Sequence, residues 1–261
     1  PRLRPFVKQY CQRLDRIIAL TADQKTDIAR VYDIPSDRIA VVGGGYDEKI
    51  FNRVPKQPAG TVQILYAGKL NLSKGVPWLL RSLMKIREHD WHLHLAGSGK
   101  GPEYRQCIDL AEQLGPKVTN HGYVSHQRLA ALMKTAHIQV LPSFFEGLPL
   151  VLFEGLASGC RIITTQLPGF KEIFGKASRE TIRLIELPPL ETIDQPYEKD
   201  QAQLDDVLRT RILDMMAVVK RLPDFDDPQA EEAASSYTWS RVFERTLSVY
   251  SDALLNKRRP R

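Results

Sequence analysis

The chain has 261 residues, 43 % hydrophobic and 26 % charged, with a formal net charge of +6. Those values fit a globular chain and exclude a low-complexity or fibrous one. No apolar run approaches a membrane span of about 20 residues, and no apolar core follows the start at Pro1–Pro5, so neither a span nor a secretory signal is expected. A start at Pro1 reads as that of a fragment or a processed chain. Cys11, Cys107 and Cys160 are widely spaced and form no Cys-x-x-Cys. Reduced thiols in a cytosolic setting are therefore expected, with Cys160 a small core residue. The positive balance fits an anionic ligand or an anionic membrane surface, or is a generic basic surface. No zinc finger, RRM signature or helix-turn-helix pattern points to nucleic acid.

The first fifty residues open with Tyr10–Leu20, a helix or a helix passing into a strand. Thr21 and Gln24 form a capping box for a helix reaching Tyr32. Ile39–Val42 reads as a strand, followed by Gly43-Gly44-Gly45. Pro55–Gly60 has linker composition. Short apolar runs then alternate with helical ones. Val62–Ala67, Trp91–Ala96, His137–Leu141 and Arg161–Thr165 read as strands. Val76–Arg87, Glu103–Leu114, His126–Thr135 and Pro149–Ser158 read as helices. The expected fold is α/β: a Rossmann-like parallel sheet with helices on both faces. Ligands of such sheets bind at the carboxyl ends of the strands. Further on, Pro188–Asp200 is loop-like and Leu204–Leu222 is an amphipathic helix. Tyr237-Thr238-Trp239-Ser240 opens a last helix to about Leu255. The tail Lys257–Arg261 is a basic cluster suited to phospholipid head groups.

The chemistry concentrates at strand ends. Gly68-Lys69-Leu70 and Lys74-Gly75 follow Val62–Ala67, and two cations at that spacing can grip a diphosphate. Gly97-Ser98-Gly99 closes a second strand, which also suits a tight turn. Tyr123 and Val124 follow Asn120-His121-Gly122, where Tyr123 either lines a pocket or ends a buried strand. Residues 146–154 read Glu-Gly-Leu-Pro-Leu-Val-Leu-Phe-Glu. Glu146 precedes a helix and Glu154 lies within it. The helix N-terminus between them, at Gly147, Leu148, Pro149 and Leu150, offers unpaired N–H groups to an anion. Taken bare, the Glu-x7-Glu spacing equally describes a helix-terminal charge and a solvated glutamate. His92 and His94 share one face of a strand, but no cysteine or carboxylate completes a metal site.

Residues 146–154, with Pro142-Ser143 before them and Gly155-Leu156-Ala157-Ser158-Gly159 after, resemble the Glu-x7-Glu motif of the retaining GT-B glycosyltransferases of family 4, the glycosyl transferases of group 1. The order of the other motifs agrees. Gly45-Tyr46-Asp47-Glu48-Lys49-Ile50-Phe51 is similar to the family's Gly-x-Asp-x-x-x-Phe hinge, and Gly169-Phe170-Lys171-Glu172-Ile173 to its Gly-x-x-Glu-Ile segment. Ser178–Leu187 stands where the family has a turn and a further strand. The resemblance implies three parts. Residues 1–54 are the end of an N-terminal acceptor domain and the hinge, 55–235 a donor-binding Rossmann-like domain, and 236–261 a crossover helix and basic tail. It also implies residue roles. Lys69 and Lys74 hold the donor pyrophosphate with Gly68, Lys69 standing where the family has Arg. Gly97 and Gly99 let the backbone approach the nucleotide, Tyr123 and Val124 border the base, Glu154 binds the ribose, and Glu146 lies beside the sugar.

The implied activity is retaining transfer of a sugar from a nucleoside diphosphate sugar to an acceptor hydroxyl, in glycan, polysaccharide or glycolipid synthesis. It implies no metal and no cofactor beyond the donor. The acceptor stays open, lipid-linked or polysaccharide among others. The expected location is cytoplasmic, with peripheral contact at the inner face of a membrane, and transfer is not expected from residues 1–261 alone. Two other readings stand beside it: a non-catalytic nucleotide-sugar-binding module, and a sugar phosphorylase of the same fold, for which no pyridoxal-phosphate lysine is marked.

Overall fold

The structure, a computed structural model, describes residues 4–58 and 60–257. In chain order the elements are α1 (Arg4–Gln12), β1 (Ile17–Ala19), α2 (Ala22–Tyr32), β2 (Ile39–Val41), β3 (Val62–Ala67), α3 (Val76–Met84), β4 (Trp91–Ala96), α4 (Gly101–Leu114), β5 (Val118–Gly122) and α5 (His126–Thr135). They continue with β6 (Ile138–Leu141), α6 (Leu150–Ala157), β7 (Arg161–Thr165), α7 (Phe170–Phe174), β8 (Ile182–Ile185), β9 (Leu190–Thr192), β10 (Gln195–Pro196), α8 (Gln201–Arg221), α9 (Pro228–Ser235) and α10 (Trp239–Lys257).

Six strands form one sheet in the order β5-β4-β3-β6-β7-β8, all parallel. The chain runs outward from β3 to β5, returns to β6, and runs outward again. Right-handed crossovers then place α3 and α4 on one face, and α5, α6 and α7 on the other. α8 packs on α3, and α9 on α6 and α7. The central strands are buried on both faces: β6 and β7 expose no residue to solvent. Their apolar residues fill that position, and the buried polar side chains among them are bonded: Gln139 donates to the Val151 carbonyl, and Thr164 and Thr165 to the Leu141 and Ser143 carbonyls. The order reverses between β3 and β6, and there the loops diverge and leave a crevice.

A second, smaller cluster lies at the start of the chain. β1 and β2 pair in parallel, and Ala19, Ile34 and Ile39 pack with Ile17, Ile28 and Tyr32. The capping of α2 is as expected. The Thr21 hydroxyl accepts from the Gln24 N–H at 3.1 Å, and the Gln24 side-chain oxygen accepts from the Leu20 N–H. The last helix returns to this region. Tyr46 N–H donates to the Tyr237 carbonyl at 2.9 Å, and Trp239 N–H donates to the Tyr46 carbonyl at 3.0 Å. Arg245 Nε donates to the Val42 carbonyl at 2.8 Å.

Several expectations need correction. Of the two readings of Tyr10–Leu20 the second holds, the end of α1 passing through a turn into the strand β1, and the single-helix reading falls. The helix expected to reach Arg87 stops at Met84, and the two strands expected at 39–42 and 137–141 each lose one residue. Ser178–Leu187 does hold a strand: β8 pairs with β7 as the sixth strand of the sheet. The loop-like Pro188–Asp200 contains the β9–β10 hairpin. α9 was not expected, although Asp227 caps it by accepting from Ala230 N–H and Pro228 opens it. Among the described residues no helix is long and apolar enough to cross a membrane. Arg258–Arg261, most of the basic tail, lie outside the described residues.

Candidate active site

A cavity of about 490 Å³ opens at the carboxyl ends of β3, β4 and β6, where the strand order reverses. Gly68, Lys69, Lys74, Gly97, Tyr123, Val124, Glu146, Leu150 and Glu154 all line it. These residues come from five separate stretches of chain, and the sheet brings them to one crevice.

The loop after β3 is held from several sides. The buried Tyr66 hydroxyl donates to the Lys69 carbonyl at 2.5 Å. Burial pushes that phenol well above its ordinary pKa, with Glu146 adding to the effect, so it stays a donor. Asn71 Oδ1 accepts from Lys74 N–H, and Glu103 accepts from Leu72 N–H. Gly97 has φ +152°, and a Cβ there would meet the Gly68 carbonyl oxygen at 1.8 Å. Only glycine lets the two strand-end loops touch at that point. Gly75, at φ +68°, likewise lies against the Pro142 carbonyl, and Phe144 N–H donates to Ser73 O at 2.8 Å. The Lys74 loop is thereby locked to the loop that carries Glu146.

Lys74 and Glu146 form an ion pair at 2.9 Å, with side chains 23 % and 13 % exposed. Lys74 Nζ also donates to the Phe145 carbonyl at 3.0 Å, and Ser143 Oγ donates to Glu146 Oε1 at 2.7 Å. Both side chains are therefore pre-positioned, which a freely solvated pair would not be. Glu154 differs. Burial alone pushes its carboxyl up to about 7. It lies near Tyr46, whose phenol is pushed up to about 12 by burial and by Glu48 and Glu154. A carboxylate desolvated in this way gains most from a ligand that donates hydrogen bonds to it.

Not every expected residue faces the cavity. Gly99 packs under the Leu70 carbonyl and Tyr104. Pro149 caps α6, and Leu148 packs beside Gly44 in the loop after β2. Gly147 and Leu148 lie outside the lining although Glu146 and Leu150 flank them within it. Tyr123 is 85 % exposed, so its ring is free of the protein core. Ser98 and His126 line the cavity and were not anticipated. His126 begins α5 and lies edge-on to Phe51 at 6.3 Å. Its position just after the Ser125 cap was the available signal. The histidines on β4 have structural partners: His94 bridges His121 and the Gln63 amide, and His92 meets Thr119. Asp224-Phe225-Asp226 is an Asp-x-Asp triplet, but it lies between α8 and α9 outside this cavity, with Asp224 paired to Arg53. Among the described residues no group of three or more His, Cys, Asp or Glu is placed to hold a metal ion.

The arrangement can hold an anion between two lysines and accept hydrogen bonds from hydroxyls on either side. Residues 61–187 match the sequence model of the family described as Glycosyl transferases group 1. Over that segment the chain is similar to the group 1 glycosyltransferases. An uncharacterized glycosyltransferase of Methanocaldococcus jannaschii is 26 % identical over 254 residues, which cover 92 % of this chain and 60 % of the relative. The chain thus spans less than two thirds of that relative. Among solved structures, a glycosyltransferase of Rickettsia africae superposes with a TM-score of 0.73 at 17 % identity, covering 95 % of this chain and 67 % of the other. HepE of Anabaena, solved with UDP and glucose, gives 0.66 at 14 % identity, covering 96 % and 66 %. These likenesses establish the GT-B glycosyltransferase fold.

Proposed function

We propose that the cavity binds a nucleoside diphosphate sugar and that the whole protein transfers the sugar, with retention, to an acceptor hydroxyl. The observation that carries this reading is the Lys74–Glu146 pair facing Glu154 across one cavity at the reversal of strand order. The UDP and glucose bound by the fold-mate HepE support it. Lys69, Lys74 and the α6 N-terminus hold the diphosphate, and Glu154 accepts from the ribose hydroxyls. Glu146 orients the sugar. In the transfer step the bond from the anomeric carbon to the diphosphate oxygen breaks on the face where the acceptor oxygen bonds. The acceptor proton passes to the departing diphosphate. Negative charge grows there, and fixed cations stabilise it more in the transition state than before. The grip needs no metal ion. The proposed setting is the cytoplasm, with peripheral membrane contact when the acceptor is lipid-linked. The binding-module reading predicts the same nucleotide affinity with no turnover in the whole protein.

Titrating UDP, GDP and ADP into residues 1–261 by calorimetry, with EDTA present, tests the donor site. One nucleotide is expected to bind, and Glu154→Ala to abolish it. Metal-dependent binding, or binding indifferent to Glu154, would count against the site.

The pH dependence follows from Glu154. A ribose donates to the ionised carboxylate, so donor affinity should fall toward tenfold per unit as pH drops below about 7. Above that it should level off. The nucleotide sugar is the right probe, because its phosphates do not titrate in this range. Glu154→Gln should flatten the profile, and an unchanged slope in that variant would sink the assignment.

A further inference from the structure

A second cavity of about 520 Å³ lies at the far edge of the sheet, along β8, and reaches Gln166 and Glu186 just past the ends of β7 and β8. Its floor is β8, and its walls come from α7 and α8, which lie on opposite faces. β8 is the last strand, and among the described residues its outer edge pairs with nothing. Thr181 and Ile185 accept from β7 through their carbonyls, so the backbone of Leu184, between Arg183 and Ile185, turns outward to the slot.

The slot is cationic. Lys171, Arg179, Arg183 and Arg211 line it, against one carboxylate, Glu186. Several cations elsewhere are paired. Arg53 meets Asp224 and Glu231, Arg81 meets Asp205, Lys85 meets Asp206, and Arg221 meets Glu180. In the slot, the ion pair that Arg211 makes among the described residues is with Asp214 at 3.7 Å. Arg183 Nε is buried with no acceptor among the described residues. A buried guanidinium donor without an acceptor is rare and costly, and marks a place where an acceptor belongs. Cations converge from the turn before β8, from β8 itself and from two helices. Guanidinium forks match phosphate oxygens in a bidentate way. Phe174 and Val207 add apolar surface for the body of a molecule.

We propose that this slot is a second binding site, for a phosphorylated small molecule, separate from the donor cavity. Its position on the opposite side of β7 from the crevice makes it independent of the reading given above.

The test is calorimetric titration of the 261-residue chain with inorganic pyrophosphate, a hexose 6-phosphate and the free hexose. Both phosphorylated probes are expected to bind and the free hexose not to. Arg183→Gln and Arg179→Gln should each weaken binding about tenfold, the loss of one charge-assisted hydrogen bond. Lys69→Ala should leave the affinity for the hexose 6-phosphate unchanged, whereas pyrophosphate can also enter the donor cavity that Lys69 lines. Arg179 is exposed, so its variant keeps the test valid if Arg183→Gln disturbs the fold. Loss of hexose 6-phosphate binding in Lys69→Ala with none in the arginine variants would place the anion in the donor cavity and overturn the proposal. No binding at millimolar concentration of either probe would overturn it as well.

Discussion

Glu146→Gln is expected to lower sugar transfer by the whole protein about 10²- to 10³-fold, the range for losing one preorganised electrostatic contact at a reacting centre. Glutamine keeps the shape and can still accept from Ser143 Oγ. It cannot keep the ion pair with Lys74 at 2.9 Å. Lys74 then loses the partner that aims it, while its bond to the Phe145 carbonyl remains. The loss should fall mainly on turnover. Nucleotide affinity should change by less than tenfold, because the proposed ribose contact lies at Glu154. Single-turnover transfer and nucleotide titration, run on the same variant, separate the two effects. Near-normal turnover would remove Glu146 from the mechanism, and an equal loss in both would make it a binding residue.

Arg161→Met is expected to destabilise the fold by about 3–5 kcal/mol, the range for breaking a buried charged network by removing one partner. Arg161 is fully buried at the start of β7. Its guanidinium donates to the carbonyls of Glu180, Leu222, Pro223 and Asp224 at 2.6–2.9 Å. It also lies over the Phe225 ring at 5.2 Å. One side chain thus ties the end of α8, the link that follows it and the turn before β8. Burial lowers its pKa, opposed by Asp224 and Glu180. Methionine fills the volume but leaves four carbonyls unpaired. The unfolding midpoint should fall by roughly 10 °C, with Arg161→Lys in between. A change below about 1 kcal/mol in urea unfolding would show that water or a rearrangement replaces the guanidinium.

Much of the sheet was readable because its strands are short apolar runs between turn residues. β3, β4, β7 and α5 have the expected ends. β8 was harder, since Arg183 interrupts the run and only the pairing with β7 makes it a strand. α9 is short and polar, and its stability comes from packing on α6 rather than from its own pattern. At the site, the residue types were legible from motif order. The Lys74–Glu146 pair was not, because it depends on two loops meeting across β3 and β6. The raised pKa of Glu154 was not legible either, because it is a property of burial. Arg161 is the extreme case. Composition places arginine at the surface, and only the convergence of four carbonyls explains it inside.

The backbone bonds that join Tyr46 to Tyr237 and Trp239 have a mechanical consequence. The chain passes from the small β1–β2 cluster to the large sheet beside the same spot where α10 comes back, and Arg245 ties that helix to Val42. A body joined to another by one connection can swivel in any direction. Joined by two connections lying side by side, it turns about the line between them, like a door on its frame. Opening and closing over the proposed donor crevice should therefore follow a single arc, and a cut on either side of Tyr237 should free the other directions.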